Sequence, residues 1–253
     1  MSRIVFPDDW EKDEWYGFTR HKFTFEGQKA WIVEPRTPAP DNRWSWCTQW
    51  AEAFVRRVGT VALLEHGFYH VHIDVFEYRA NEKGVAIMGR FHDFLVSMGL
   101  SPKANLIGMS WGGYFSLRYA ATFPEKVCAI YLDAPLCNAA EIDTTGKDEN
   151  IQRHNKDFLE HYAMSLEELK VSKLNPINNL KPIADAKIPI FAAIGMTDCS
   201  VAHETNFDVV EQRLTEMGGN IVKVIRRNYW GHHPHGLDNV DELLDFHWRA
   251  REN

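Results

Sequence analysis

A short segment near the middle of the chain has the pattern of a nucleophilic serine. Residues 108–112 read Gly-Met-Ser-Trp-Gly; they close an apolar run, 104–109, and open a helical one, 111–122. Such a tight strand-to-helix turn strains the central residue and lifts its hydroxyl above the sheet. The pattern therefore predicts that Ser110 is a nucleophile and that the backbone N–H of Trp111 binds an oxyanion. The alternative is a tight turn whose serine only caps the helix.

A serine hydroxyl is a weak nucleophile at neutral pH and needs a neighbouring base. The candidate bases lie together near the end of the chain, where residues 231–236 read Gly-His-His-Pro-His-Gly. We favour His232, because it directly follows Gly231, where the loop can turn inward. His233 and His235 are the alternatives, and they would then line the pocket or face solvent.

The base must in turn be oriented by an acid. We favour Asp198, which follows an apolar run at 188–194 in a loop opened by Gly195. The rival is Asp133, directly after the apolar run 127–132. Both positions lie at the carboxyl ends of predicted strands, where ligands bind in such sheets. In the alternative interpretation, Asp198 only caps the next helix.

The elements that must position these residues alternate along the chain. Strands are predicted at residues 23–27 and 29–34 (a hairpin near Gly27), 43–48, 69–75, 104–109, 127–132, 188–194 and 221–225, and helices at 49–65, 84–99 and 111–122. The inner strands are continuous apolar runs, which is typical of parallel strands buried on both faces. This alternation predicts a doubly wound α/β fold.

One polar segment, 138–185, interrupts the alternation and contains a helix-like stretch at 155–170 with no strand beside it. An insertion of this size between core strands is typical of a lid. We therefore expect a single domain over residues 1–253 with a lid at roughly 138–185.

Three motifs in this order resemble the α/β-hydrolase superfamily of serine hydrolases. They are Gly-Met-Ser-Trp-Gly-Gly, the Gly-x-x-Asp-x-x-Val loop at 195–201, and the terminal Gly-His at 231–232. The resemblance implies an α/β-hydrolase fold, with a mostly parallel central sheet, helices on both faces and a small lid. It also implies carboxylic-ester hydrolysis by a catalytic triad of Ser110, Asp198 and His232. The ending Gly-His-His-Pro-His resembles bacterial hydrolases, some of them associated with sugars.

The segment after the predicted strand 43–48 departs from the family. Many members carry His-Gly there, where a second oxyanion N–H arises, whereas residues 44–50 read Trp-Ser-Trp-Cys-Thr-Gln-Trp. We place the second oxyanion N–H at Thr48 or Gln49 and favour Gln49.

Composition and charge exclude several other classes of protein. The 253 residues carry a net charge of −7, so the chain lacks the basic surface that is typical of a nucleic-acid-binding protein. No apolar stretch reaches the roughly 18 residues of a membrane span, and the start has no apolar signal core. We therefore expect a cytoplasmic protein. The four widely spaced cysteines are expected to be free thiols: Cys47, Cys128, Cys137 and Cys199.

Two further kinds of motif bear on metals and cofactors. His70-x-His72-x-Asp74 is similar to a zinc motif, but Val75 stands where the usual next histidine would be. Packed strand histidines are the alternative, and we predict no metal. Gly-x-x-x-x-Gly-Lys and Gly-x-Gly-x-x-Gly are both absent, which predicts no nucleotide cofactor.

Tryptophans are numerous, and four are expected near the oxyanion region: Trp44, Trp46, Trp50 and Trp111. Aromatic walls suit sugar rings or aromatic acyl groups, and core packing is the alternative.

The sequence thus predicts an enzyme that hydrolyses a small-molecule ester with a short acyl group, such as an acetyl ester on a sugar. Two other hypotheses remain open. The same triad could serve C–C bond hydrolysis or a lyase reaction, since the fold alone does not define the chemistry. The chain could also be a ligand-binding module that keeps the hydrolase fold.

Overall fold

A single mixed sheet forms the centre of the molecule. The computed structural model describes residues 4–139 and 149–250, without the side chains of 149–155. Within these ranges the sheet has nine strands: β1 (Glu11–Trp15), β2 (Phe18–Phe25), β3 (Gln28–Glu34), β4 (Trp44–Cys47), β5 (Tyr69–Ile73), β6 (Ala104–Met109), β7 (Val127–Asp133), β8 (Pro189–Gly195) and β9 (Asn220–Arg227).

The strands lie in the order β1-β2-β3-β5-β4-β6-β7-β8-β9. The pairs β1–β2, β2–β3 and β3–β5 are antiparallel, and the other five pairs are parallel. The carboxyl ends of β4, β6, β7 and β8 therefore meet at one edge, where open parallel sheets bind ligands. The predicted mostly parallel sheet is confirmed.

Helices cover both faces of the sheet. Those in the described ranges are α1 (Thr60–Glu65), α2 (Glu82–Ser97), α3 (Trp111–Thr122), α4 (Glu149–Tyr162), α5 (Leu166–Val171), α6 (Lys181–Asp185), α7 (Phe207–Glu216) and α8 (Asp241–Arg249). None of these helices has the length and apolar character needed to cross a lipid bilayer. Helices α1 and α8 contribute to one core, and α2, α3, α6 and α7 to the other. Strand β6 feeds both, with Leu106 in one core and Ile107 in the other.

The sequence predicts several central elements closely and others wrongly or not at all. Strand β6 and helix α3 begin and end at the predicted residues. The predicted helix at 49–65 is wrong in its first part, because α1 begins only at Thr60. Trp50 and Phe54 both have positive φ angles, which break a right-handed helix there. Strand β1 and helices α6, α7 and α8 were not predicted from the sequence.

The insertion between β7 and β8 holds α4, α5 and α6. Residues 140–148 of the predicted lid, 138–185, lie outside the described residues. The helix-like stretch predicted at 155–170 corresponds to the end of α4 and most of α5. These are separate helices, because Ser165 caps the start of α5 together with Glu168 in a capping box.

All four cysteines are free thiols, as predicted. Cys47 and Cys137 are buried, and burial raises the pKa of the Cys47 thiol to about 12. Cys199, beside Asp198, is exposed.

Three buried histidines are expected to make the fold sensitive to acid. Burial lowers the pKa of His70 to about 3, that of His92 to about 4 and that of His247 to about 3. An unfolded histidine titrates near 6.5, so only the unfolded chain gains these protons as the pH falls below that value. Each group then removes about 1.4 kcal/mol per pH unit, and we expect the three together to lower the free energy of unfolding by about 4 kcal/mol at pH 5.5.

Urea denaturation at about pH 7.5 and about pH 5.5 measures this difference. His92→Gln is the matched variant, since it removes one titrating ring that binds Pro102 and Tyr119. It should recover roughly a third of the acid-induced loss. Equal stability of the wild type at the two pH values would contradict the expectation.

Candidate active site

Ser110 lies at a strained turn between β6 and α3. Its φ of 49° and ψ of −120° are unusual for a residue with a side chain. Three backbone hydrogen bonds hold it there: its N–H donates to the carbonyl of Asp133 (3.0 Å), and its own carbonyl accepts from Gly113 and Leu136 (2.9 Å each). The turn also needs glycine at position 108, because a Cβ there would lie 2.8 Å from the carbonyl oxygen of Gly112. The local structure thus fixes Ser110 above the carboxyl edge of the sheet.

The structure brings the three residues favoured by the sequence into one hydrogen-bonded chain. His232 Nε2 lies 3.0 Å from Ser110 Oγ, and His232 Nδ1 lies 2.7 Å from Asp198 Oδ2. The other carboxylate oxygen, Asp198 Oδ1, accepts from the N–H groups of Ser200 and Val201, both at 2.9 Å. Asp198 therefore caps its own loop and contacts His232 at the same time. An ionised Asp198 requires that Nδ1 of His232 carry the proton, which leaves Nε2 as an acceptor toward Ser110.

The environment of Asp198 favours its charged form. Burial by itself would raise the pKa of this carboxyl, which is only 8% exposed. The hydrogen bonds from His232 and from the backbone of Val201 and Ser200 outweigh that effect, so the pKa lies below its ordinary value. Asp198 is thus a carboxylate at neutral pH.

The loops that carry Asp198 and His232 meet at Gly195, the last residue of β8. The N–H of Thr197 donates to the carbonyl of Trp230 at 3.0 Å. A Cβ on Gly195 would lie 2.6 Å from that same carbonyl oxygen and closer still to that of Gly231. Only glycine lets the two loops come this close.

Gly195→Ala is therefore expected to push the loop with His232 away from Ser110. A displacement of about 1 Å lowers activity about 100-fold in well-ordered active sites, and we expect a fall in kcat/KM of that order. Gly231→Ala is the matched control, because its Cβ would meet only the carbonyl oxygen of Thr197, at 3.7 Å. Steady-state kinetics on both variants test this, and equal losses in the two would refute the steric explanation.

A second Asp–His pair lies beside the first. Asp133, the rival acid in the sequence analysis, pairs with His235 and not with His232; its Oδ1 lies 2.7 Å from His235 Nδ1. His235 is buried and packs its ring edge-on against His232, with centroids 4.9 Å apart. His233 is exposed and stacks on Phe54. Neither alternative histidine is placed between Ser110 and Asp198.

The two candidates for the second oxyanion donor differ in their backbone contacts. The N–H of Thr48 donates to the carbonyl of Ile107 at 3.1 Å, and its hydroxyl donates to the carbonyl of Gly112 at 2.8 Å. Gln49 follows, and its backbone nitrogen would lie 3.4 Å from a Cβ on Gly112. Gln49 thus packs against the first turn of α3, beside Trp111.

The histidines of the zinc-like motif lie in the sheet. His70 Nδ1 lies 2.8 Å from Ser45 Oγ, and His72 Nδ1 lies 2.9 Å from the carbonyl of Cys47. Among the described residues, the group able to offer three metal ligands consists instead of His232, His233 and His235. Their candidate ligand nitrogens lie within 4.8 Å of one another. Both ring nitrogens of His232 are engaged with Asp198 and Ser110, and Nδ1 of His235 is engaged with Asp133.

The four tryptophans expected near the oxyanion region divide into two pairs. Trp44 and Trp46 are fully buried in the core, so the clustering prediction is wrong for them. Trp50 is 42% exposed, and Phe76 links it to Trp111 through ring contacts of 5.0 and 5.9 Å. These three rings, together with Phe158 of α4, which lies 5.6 Å from Trp111, are called the aromatic wall below.

Fold and site together define an α/β hydrolase. The family model described as alpha/beta hydrolase fold matches residues 36–163, half of the chain, and the chain belongs to this family. None of the curated proteins with which the sequence was compared matches it.

Several solved structures share the fold. An acetyl xylan esterase from Paenibacillus sp. R4 has a TM-score of 0.65 at 16% identity, covering 95% of this chain and 87% of that one. An S-formylglutathione hydrolase from Agrobacterium tumefaciens has a TM-score of 0.64 at 14% identity, covering 95% and 98%. An acylaminoacyl peptidase from Pyrococcus horikoshii has a TM-score of 0.63 at 15% identity over 85% of this chain, which spans only 38% of that larger protein. At such identities the likeness shows a common fold.

Proposed function

We propose that the protein is a serine hydrolase that cleaves carboxylic esters with a short acyl group. The observation that carries the proposal is the unbroken hydrogen-bonded chain from Ser110 through His232 to Asp198. This chain lies at the carboxyl edge of the sheet, where the fold binds its ligands. Its members follow the family order of serine, acid and histidine.

In the first half of the proposed reaction, Ser110 Oγ attacks the acyl carbon of the ester. His232 Nε2 takes the hydroxyl proton as the new C–O bond forms. Asp198 keeps the imidazole in the required tautomer and stabilises the imidazolium that results. The same proton then passes from His232 to the alcohol oxygen as the ester bond breaks, which leaves an acyl-enzyme.

Negative charge develops on the carbonyl oxygen during the attack. We assign its stabilisation to the backbone N–H groups of Trp111, the first residue of α3, and of Gln49, whose backbone packs against Gly112 in the same turn. In the second half of the reaction, water attacks the acyl-enzyme while His232 again acts as base. Ser110 regains its proton when the carboxylic acid leaves.

The surroundings of Ser110 support an ester whose alcohol part is broad and partly apolar. Trp50, Phe76 and Trp111 of the aromatic wall are exposed or half-buried, and such rings suit sugars or other ring systems. The acetyl and formyl groups in the names of two structural neighbours are consistent with a short acyl part. An acetyl ester on a sugar is therefore the first substrate to test.

We further propose that the insertion acts as a lid that selects the substrate. Helix α4 lies against the aromatic wall through Phe158. Two contacts hold its end: Asp157 binds the guanidinium of Arg79 at 2.8 Å, and the hydroxyl of Tyr162 donates to the carbonyl of Arg79 at 2.8 Å.

A fluorophosphonate probe tests the proposed nucleophile directly. Intact-mass analysis and a peptide map should find one adduct per chain, on Ser110, and Ser110→Ala should take up none. Hydrolysis of acetyl, butyryl and longer p-nitrophenyl esters, followed by acetylated sugars, then defines the acyl preference. A folded wild-type protein that reacts with no probe and hydrolyses no ester would refute the proposal.

A further inference from the structure

The second Asp–His pair has no role in the reaction proposed above, yet its carboxylate is completely buried. Asp133 is 0% exposed at the carboxyl end of β7. A buried charge is strongly unfavourable unless several donors compensate it. The contacts of Asp133 therefore indicate what this carboxylate is kept for.

Four donors surround the carboxylate, and two of them belong to the loop that carries His232. In that loop, His235 Nδ1 binds Oδ1 at 2.7 Å, and the N–H of Gly236 donates to Oδ2 at 2.9 Å. The other two donors come from strands: the hydroxyl of Tyr131 at 2.6 Å and the guanidinium of Arg227 at 3.4 Å.

The backbone of the same residue holds the nucleophile. The carbonyl of Asp133 accepts from the N–H of Ser110 at 3.0 Å, and Leu136, three residues later, donates to the carbonyl of Ser110 at 2.9 Å. Asp133 thus contacts the strained turn through its main chain. Through its side chain it contacts residues 231–236, called the histidine loop below.

The histidine loop transmits this contact to the base. The ring of His235 packs edge-on against the ring of His232, with centroids 4.9 Å apart and planes at 80°. The loop is also fixed on its far side, where Arg57 donates to the carbonyl of His235 at 2.8 Å. His232 is therefore held between Asp198, which binds its Nδ1, and a ring anchored on Asp133.

We propose that Asp133 is a positioning residue that sets the distance between Ser110 and His232. Its backbone carbonyl holds Ser110, and its buried carboxylate holds the loop that carries His232. The inference rests on the proposed serine-hydrolase function. The side chain of Asp133 is fully buried and binds His235, not His232, so it acts through His235 and the backbone of Ser110.

Asp133→Asn tests the proposal, since it keeps the shape and the backbone bond to Ser110 but weakens the hold on His235 and Gly236. We expect kcat for an acetyl ester to fall about 100-fold, with KM changed less than threefold. The reason is that the base, His232, is displaced while substrate binding is unaffected. The rate of fluorophosphonate labelling should fall by a similar factor.

Two further variants separate positioning from stability. Val210→Ala removes buried volume from α7 without changing a residue of the two Asp–His pairs, so it should lower the melting temperature and leave kcat within about twofold. His235→Gln removes one of the four donors and keeps the test open if Asp133→Asn does not fold. The double variant Asp133→Asn/His235→Gln should lose little more kcat than the more impaired of its two single variants, because both substitutions break the same contact.

The outcomes distinguish this inference from the proposed function. Failure of the wild type to react with the probe would refute both. A reactive wild type whose folded Asp133→Asn and His235→Gln variants keep kcat within about twofold would refute the positioning role alone. A kcat loss no larger than that of Val210→Ala would likewise reduce Asp133 to a stabilising residue.

Discussion

Ser110→Ala is expected to lower kcat/KM for the best ester substrate by about three to six orders of magnitude. In triad hydrolases the nucleophile and the base act as one unit, and loss of the serine removes the covalent pathway. The activity that remains would come from oxyanion stabilisation and binding alone. Steady-state kinetics at saturating and limiting substrate, with freshly purified protein to exclude contamination, measure the loss.

The folded state should tolerate this substitution. Among residues 4–139 and 149–250, the side chain of Ser110 makes no capping bond to α3 and forms one hydrogen bond, to His232. We expect the free energy of unfolding to change by less than about 0.5 kcal/mol. A variant that remains folded and keeps near-full activity would overturn the serine mechanism and leave the binding-module and non-ester hypotheses to be tested.

The central part of the fold was predictable because its local signals agree with its environment. Strand β6 is apolar at every position except Asn105 and is buried at all six, so pattern and burial coincide. Helix α3 ends just before Phe123 and Pro124, and proline cannot continue a helix. Between them, the glycine spacing required one tight turn. Position, element and candidate nucleophile followed from the same few residues.

The region after β4 was not predictable for the opposite reason. Residues 49–59 have enough apolar positions for a helix, but Trp50 and Phe54 adopt positive φ angles. Both are aromatic residues with no local preference for that conformation. Tertiary contacts impose it, as in the ring contact of Trp50 with Phe76. Single-sequence patterns carry no information on such contacts.

The residues of the candidate site likewise divide into those that local motifs predict and those that they do not. Ser110, Asp198 and His232 each stand in a motif that can be read locally, and the structure brings them together. The pair of Asp133 and His235 joins residues about a hundred positions apart. Neither residue is marked in the sequence as the partner of the other, so the rival acid could be named but its actual partner could not.

Asp198→Asn is expected to lower kcat/KM by about 10³- to 10⁴-fold, more than Asp133→Asn. An asparagine amide at this position would donate to His232 Nδ1 and drive the proton to Nε2. The ring would then present an N–H to Ser110 Oγ and could not accept its proton. Kinetics on both asparagine variants with the same ester give the comparison.

The pH dependence of the Asp198→Asn variant adds a test of the cause. The hydrogen bonds from His232 and the loop backbone keep the pKa of Asp198 below its ordinary value, so the wild type holds this charge throughout the neutral range. The asparagine amide does not ionise between about pH 6 and about pH 9, so raising the pH over this range should not restore the variant to wild-type activity. A larger loss in Asp133→Asn than in Asp198→Asn would reverse the roles, making Asp133 the acid that orients the base and Asp198 a residue that shapes its own loop.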